Sequence, residues 1–325
     1  MARVVVTRRL PEGGVDPLLA AGYDVTHNEG DVAFSEAELR AAAADTDAIV
    51  CLLTDRVDAE VLAAGAGRLQ VVANVAVGYD NIDLAAAAQH GVAVCNTPGV
   101  LDETTADLAF LLILAASRLA GDAARDLRDG RWPGWGILQY LGRDVHAATL
   151  GLVGFGRIGQ AVARRASGFG MNVLHHARHD TGLPGYVASL DELLAASDVV
   201  SLHVPLTPET RHLLDADRLA RLRPSAVLVN TARGPVVDEA ALAAALESGH
   251  LFAAGLDVYE REPGIDPRLL AAPRTVLLPH IGSASQATRT RMARLACEGV
   301  VAVLRGEQPP NLVSAAPARS RSGRS

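Results

Sequence analysis

Residues 149–159 read Thr-Leu-Gly-Leu-Val-Gly-Phe-Gly-Arg-Ile-Gly. The apolar run Leu150–Val153 passes directly into Gly154-Phe155-Gly156-Arg157-Ile158-Gly159, a GxGxxG motif. In a chain with 30 glycines the motif alone carries little weight. Its context gives it meaning: a strand precedes it, and a helical stretch through Ile158, Val162, Arg165 and Ala166 follows. In such a turn Gly154 makes the tight bend, and Gly156 lets the backbone approach a pyrophosphate seated on the helix N-terminus. Gly159 allows close helix–strand packing. The competing reading is a plain strand–helix turn with no ligand.

Outward from this turn, short Val/Ile/Leu runs alternate with Ala/Leu-rich helical stretches in both directions. Upstream, strands are expected at Arg3–Thr7, Asp24–His27, Ala48–Leu53, Leu69–Asn74 and Val92–Asn96. Helices lie between them, and a long helix is expected from about Asp102 to Asp129. Downstream, strands are expected at Asn172–His176, Val199–His203, Ala226–Asn230, Phe252–Asp257 and Thr275–Leu278, and a last helix at Ser285–Arg305. Continuous apolar strands alternating with helices signal parallel sheets covered on both faces, an α/β class. The tail 314–325 is small, polar and basic, and is expected to be disordered.

Composition narrows the function. The 325 residues suggest two domains. A net charge of -7 argues against a nucleic-acid or anionic-membrane partner. The chain contains no lysine, so all 30 basic residues are arginine. That excludes Walker-A phosphate binding and lysine Schiff-base chemistry. Cys51, Cys95 and Cys297 stand singly, with no CxxC or metal spacing, and read as buried thiols of a cytoplasmic protein. The Val4–Val6 run is too short for a signal sequence, and Leu108–Ala116, bracketed by Asp107 and Arg118, is too short for a membrane span. No metal site is expected: His175 and His176 are adjacent on a strand and point to opposite faces.

Chemistry-bearing residues cluster after strands, where α/β sheets bind ligands. An NAD site places an acid at the tip of the strand following the glycine turn. Here that tip is Ala177-Arg178-His179; no acid stands there, and Arg178 could pair with a 2′-phosphate. Arg233, in Asn230-Thr231-Ala232-Arg233-Gly234, could grip a carboxylate with two parallel hydrogen bonds. Asp257 to Pro263 reads Asp-Val-Tyr-Glu-Arg-Glu-Pro, and Pro279-His280-Ile281-Gly282-Ser283 follows the last strand. Arg, Glu and His delivered by three strand ends make coincidence improbable, although each alone is more often structural.

Together with Asn74–Asp83 and Asn96–Asp107, these stretches resemble the D-isomer-specific 2-hydroxyacid dehydrogenase family from about Val4 to Leu312, most closely its glyoxylate/hydroxypyruvate reductase branch. The resemblance implies two Rossmann-like or flavodoxin-like parallel-sheet domains. Residues 99–285 would form the dinucleotide-binding domain, inserted in a substrate domain of 1–98 and 286–325, with the active site in the cleft between them. It implies Arg233 as the substrate-binding arginine, Glu262 as the acid paired to the histidine, and His280 as the acid/base. Backbone N–H groups around Val77 and Gly78 would hold the substrate carboxylate, and Ser283 and Trp135 would border the pocket. Thr105, Thr231, Ala177, Arg178 and the residues Gly154–Gly159 would face the cofactor, with Asp257 near the nicotinamide carboxamide. His179 departs from NADP-using relatives, which often carry a second Lys or Arg there. The expected cofactor is NADP(H), with NAD(H) also accepted, and no metal.

The activity so implied is NAD(P)H-dependent reduction of a 2-oxo acid, with glyoxylate or hydroxypyruvate as substrate and a homodimer as the assembly. A D-3-phosphoglycerate dehydrogenase-like enzyme and a non-enzymatic, dinucleotide-sensing corepressor-like protein are the alternatives. A formate dehydrogenase is disfavoured, because that relative pairs its histidine with glutamine and Glu262 stands here.

Overall fold

The structure, a computed structural model, describes residues 1–28 and 30–314. The chain divides into two compact units, Met1–Leu101 with the segment from Ser283 onward, and Asp102–Gly282. The first unit runs β1 (Arg3–Val6), α1 (Asp16–Ala20), β2 (Asp24–His27), α2 (Glu36–Ala44), β3 (Ala48–Cys51), α3 (Ala59–Ala64), β4 (Val71–Asn74), α4 (Leu84–Gln89) and β5 (Ala93–Cys95). The second runs α5 (Asp102–Ser117), α6 (Ala120–Arg128), β6 (Thr149–Val153), α7 (Arg157–Ser167), β7 (Asn172–His176), α8 (Leu190–Ala196), β8 (Val199–Leu202), α9 (Ala216–Leu219), β9 (Val227–Asn230), α10 (Glu239–Glu247), β10 (Ala253–Leu256), α11 (Pro267–Ala271) and β11 (Thr275–Leu277). The chain then returns to the first unit for α12 (Gln286–Leu304) and β12 (Leu312–Ser314).

Each unit holds one six-stranded sheet. The first is ordered β2-β1-β3-β4-β5-β12, parallel except for β12, which runs antiparallel to β5. The second is ordered β7-β6-β8-β9-β10-β11 and is parallel throughout. The inner strands β3, β4, β8 and β9 are buried at every residue, which is why they read as unbroken apolar runs. Edge strand β2 alternates exposed and half-buried residues instead. In the second unit Ala106, Ala109, Phe110 and Ile113 of α5 pack with Ala161, Val162 and Ala166 of α7 and with Val227 and Val229 of β9 in one core.

Capping chemistry sets most helix starts. Ser35 and Glu38 form a reciprocal capping box on α2. Asp58, Asp83, Asp215, Asp238 and Asp266 accept first-turn N–H groups on their helices. Helix α7 differs: its N-cap is Gly156, which has no side chain to offer.

Three local features depart from the sequence expectations. The long helix expected from Asp102 to Asp129 is broken into α5 and α6, bent by 69°. Leu119 stands between them in the left-handed region (φ 53°), and the Ser117 carbonyl takes the Arg143 N–H at 2.7 Å in place of a helical donor. Strand β12 was not anticipated; it takes Ser314, the first residue assigned to the tail, and the rest of that tail lies outside the described residues. Beside β7, Tyr186 makes a parallel bridge to His175, which extends the second sheet by a vestigial strand.

The cysteines are buried and free. Burial pushes the Cys95 and Cys297 thiols up to about 12 and raises Cys51 as well. Among the described residues no single helix is long and apolar enough to cross a membrane.

Candidate active site

In the second sheet the strand order reverses between β6 and β8, the switch point at which open α/β sheets bind ligands. The glycine turn sits at the carboxyl end of β6. Gly154 is left-handed (φ 94°), and a Cβ there would lie 2.6 Å from the His203 carbonyl oxygen, so only glycine fits. A Cβ on Gly159 would fall 2.4 Å from the Gly154 oxygen, whereas one on Gly156 would meet nothing within 4 Å. The start of α7 is thus open and uncapped by any side chain, a surface suited to an anion. Arg157 is exposed and Ile158 half-buried, while Phe155 stacks on His175 with ring centroids 3.8 Å apart. At the end of β9 the Thr231 hydroxyl is buried without a partner. An open helix start beside the glycine turn and an orphaned hydroxyl fit a dinucleotide. Beyond β7, Ala177 is half-buried and Arg178 and His179 are exposed. Among the described residues no cluster of three or more His, Cys, Asp or Glu could hold a metal.

Three further strand ends carry the charged residues. His280 Nδ1 lies 2.7 Å from Glu262 Oε2. Glu262 Oε1 accepts the Tyr259 N–H at 2.9 Å, which fixes the carboxylate from its other side. The Tyr259 hydroxyl donates to the Leu278 carbonyl at 2.9 Å, and that carbonyl also accepts the His280 N–H at 3.1 Å. The turn so formed holds His280 in the left-handed region (φ 55°). On its far side both oxygens of Asp257 accept backbone N–H groups, from Ile281 and Gly282, each at 2.7 Å. Thr105 is buried in the first turn of α5, close to Gly282: a Cβ there would lie 3.5 Å from Thr105 Cγ2. Arg233 is extended (φ -146°, ψ 142°), and its carbonyl accepts the Asn230 side-chain amide at 2.9 Å. A Cβ on Gly234 would overlap the Tyr259 carbonyl carbon, so the Arg233 loop lies directly on the loop that carries Glu262.

The electrostatics follow this packing. Burial pushes the Glu262 carboxyl up, but the His280 hydrogen bond and charge, the Tyr259 N–H and the Arg233 charge outweigh it, and the carboxyl ends below its ordinary range. Burial holds Asp257 above its ordinary range despite its two N–H bonds. Under the glycine turn His203 joins Ser201 Oγ through Nε2 at 2.9 Å, and burial pushes it down to about 4, so it is neutral at pH 7.

In the first unit, three successive carbonyls of one loop each accept a hydrogen bond. Ala76 accepts the Thr97 N–H at 2.9 Å, Val77 the Asn96 amide at 2.8 Å, and Gly78 the Asn74 amide at 2.8 Å. In a trans peptide the following N–H points the opposite way, so the N–H groups of Val77, Gly78 and Tyr79 face away from those donors. Ser283 is half-buried where the chain re-enters this unit, and Trp135 of the second unit is 81% exposed.

Sequence reasoning missed His203, Tyr259 and Glu239 as supports of the site. Glu239 is a buried carboxylate on α10 that accepts the N–H groups of Glu260 and Asp266, either side of Glu262. Its signal was an acid in the first turn after the strand-end arginine. The amide clamps of Asn74 and Asn96 had none, because their acceptors are backbone atoms.

The fold, with a glycine turn at its switch point, is that of a dinucleotide-binding protein. Residues 110–282, more than half the chain, match the family described as D-isomer specific 2-hydroxyacid dehydrogenase, NAD binding domain. The chain is 48% identical over 319 residues to a glyoxylate reductase of Korarchaeum cryptofilum, covering 96% of each chain. Among solved structures it is similar to a protein of Thermus thermophilus (TM-score 0.90, 48% identity, 96% and 99% of the two chains). It is also similar to an NADPH-dependent glyoxylate/hydroxypyruvate reductase of Sinorhizobium meliloti in complex with NADP and malonate (TM-score 0.86, 36% identity, 99% of each chain). The chain belongs to the D-isomer-specific 2-hydroxyacid dehydrogenase family. It is an NAD(P)-dependent oxidoreductase acting on the CH–OH group of 2-hydroxy acids, and its substrates are small 2-oxo and 2-hydroxy acids.

The lowered Glu262 carboxyl has a consequence for stability. A folded pKa below the unfolded one stabilises fully above the ordinary value of 4.5, and that contribution is lost as pH falls through the folded value. Glu262→Gln should therefore flatten the acid limb of unfolding free energy against pH, by about 1 kcal/mol given its partial exposure. Urea titrations from pH 7 to pH 3 test this, and parallel curves for the two proteins would contradict it.

Proposed function

We propose that this enzyme reduces glyoxylate and hydroxypyruvate with a preference for NADPH, using His280 and Glu262 as its acid–base pair and Arg233 as its carboxylate clamp. The observation that carries the reading is the 2.7 Å contact between His280 Nδ1 and Glu262 Oε2 at adjoining strand ends. Similarity to proteins named glyoxylate reductase supports the substrate class. The nicotinamide cofactor, when bound at the glycine turn, Thr105, Thr231 and Asp257, supplies the hydride.

Arg233 binds the substrate carboxylate through its planar fork and fixes the 2-carbon in place. In the first unit the outward N–H groups of Val77 and Gly78 suit a carboxylate as well. As the 2-carbon accepts hydride, negative charge grows on its oxygen. His280 gives that oxygen a proton from Nε2, the ring nitrogen that Glu262 does not hold, and the product is the 2-hydroxy acid. Glu262 keeps the ring oriented and stabilises the imidazolium before transfer.

Ala177 and Arg178 support the NADPH preference. An acid at that strand tip would repel a 2′-phosphate, and here an exposed guanidinium takes its place. For the assembly we propose a homodimer. The outer face of α5 and α7 carries an open groove of about 700 Å³ lined by Phe110, Leu111, Leu114 and Phe169, and Leu111 is 50% exposed. An apolar face of this kind suits a second copy.

Three measurements check these readings. His280→Asn should lower kcat for glyoxylate by about 10²–10⁴-fold with NADPH affinity kept; asparagine tolerates the left-handed backbone, so folding is spared. A variant keeping more than about a tenth of kcat refutes the acid–base role. The kcat/KM ratio for NADPH over NADH should favour NADPH by roughly 10- to 150-fold, the worth of one charge-assisted bond, and should move toward NADH in Ala177→Asp/Arg178→Ile. A wild-type preference for NADH would remove the 2′-phosphate site. Light scattering should give twice the monomer mass, and a monomer would exclude the α5–α7 interface.

A further inference from the structure

Residues 177–184 form a loop between β7 and the vestigial strand at Tyr186, and they carry the exposed side chains of Arg178 and His179. Its two ends are tied at a single residue. The His175 N–H donates to the Gly185 carbonyl at 2.8 Å, and the Val187 N–H donates to the His175 carbonyl at 2.8 Å. The His175 side chain, fully buried, reaches further into the loop: a hydrogen bond of 2.6 Å joins its Nε2 to Thr181 Oγ1. The same hydroxyl accepts the Leu183 N–H at 3.3 Å, and Asp180 accepts the Gly182 N–H at 2.8 Å. On its other side the His175 ring lies nearly flat against Phe155 of the glycine turn, with centroids 3.8 Å apart and planes at 18°.

One imidazole therefore touches both the turn suited to a pyrophosphate and the middle of the loop that presents Arg178 and His179. Neither end tie reaches the loop's centre. Without the Thr181 bond the central residues would be held by short-range turns alone, and their position relative to Phe155 would be free to drift.

We propose that His175 and Thr181 form a clasp that positions Arg178 against the glycine turn, which makes His175 and Thr181 positioning residues for cofactor specificity. The clasp touches neither the substrate nor the reacting atoms. It rests on the reading of Arg178 as the partner of a 2′-phosphate, and it acts only through that residue. NADH, which has no 2′-phosphate, gains nothing from it. A merely structural clasp would weaken both cofactors alike; a positioning clasp weakens NADPH alone.

The test is steady-state kinetics with each cofactor on Thr181→Val, which keeps the side-chain shape and removes the hydroxyl. Thr181→Ser, which restores it, and Arg178→Ile are measured alongside. Thr181→Val should lower the NADPH/NADH ratio of kcat/KM by about 2- to 12-fold, the worth of one hydrogen bond, through KM for NADPH. The NADH parameters should hold, and Thr181→Ser should recover most of the ratio. If Arg178→Ile shifts the ratio and Thr181→Val does not, or if Thr181→Val impairs both cofactors equally, the clasp is refuted and the 2′-phosphate reading stands. If Arg178→Ile leaves the ratio unchanged, the 2′-phosphate reading fails and the clasp falls with it.

Discussion

Both oxygens of Asp257 are committed to backbone N–H groups, those of Ile281 and Gly282, at 2.7 Å each. This carboxylate stands at the end of β10 and holds the segment that follows β11, so two neighbouring strand ends become one rigid body. The His280 turn, the Tyr259 hydroxyl on Leu278 and the Glu262 contact are built on that junction. Burial holds Asp257 above its ordinary range, yet two short charge-assisted bonds satisfy its oxygens. A flexible loop could bring a histidine and a glutamate together; a left-handed histidine locked on both sides keeps them together at a fixed orientation.

The glycine turn and the second sheet make a similar economy. The full strands run β7-β6-β8-β9-β10-β11, but the bridge from Tyr186 to His175 adds a position beyond β7. With it the order becomes that of the dinucleotide-binding folds, in which a third strand flanks the second. Here the third is reduced to a bridge and three backbone and side-chain bonds, and the loop that joins it to β7 carries Arg178. Phe155 links the glycine turn to β7 through its ring contact with His175, which in turn holds Thr181 of the loop.

Much of this architecture was legible in the sequence, and the reasons differ by element. The strands could be read because burial on both faces demands unbroken Val, Ile and Leu, as in Val199–Leu202 and Val227–Asn230. The glycine turn could be read because Gly154 and Gly159 sit where no Cβ fits. The strand-end positions of Arg233, Glu262 and His280 were visible, but the link between Glu262 and His280 came only through a family resemblance, since nothing in their spacing pairs them. The break at Leu119 was hidden because its cause is the Arg143 N–H, far along the chain from the Ser117 carbonyl that it meets. Strand β12 is three residues long and pairs with β5 from the far end of the chain, where local pattern says little.

The insertion of one unit within another also has a consequence during synthesis. Asn311 donates its side-chain amide to the carbonyl of Asn96, a bond that spans 215 residues. Helix α12, which packs on β3, β4, β5 and α1, is made at the same late stage. At the usual ~5–20 residues per second, the first five strands leave the ribosome roughly 10 to 40 s before the helix that covers one face of their sheet. Throughout that interval the second unit, continuous in sequence, can complete its own core, while the first presents bare Val and Ala to the cell. The half of the chain translated first is therefore the half whose sheet waits longest for its cover.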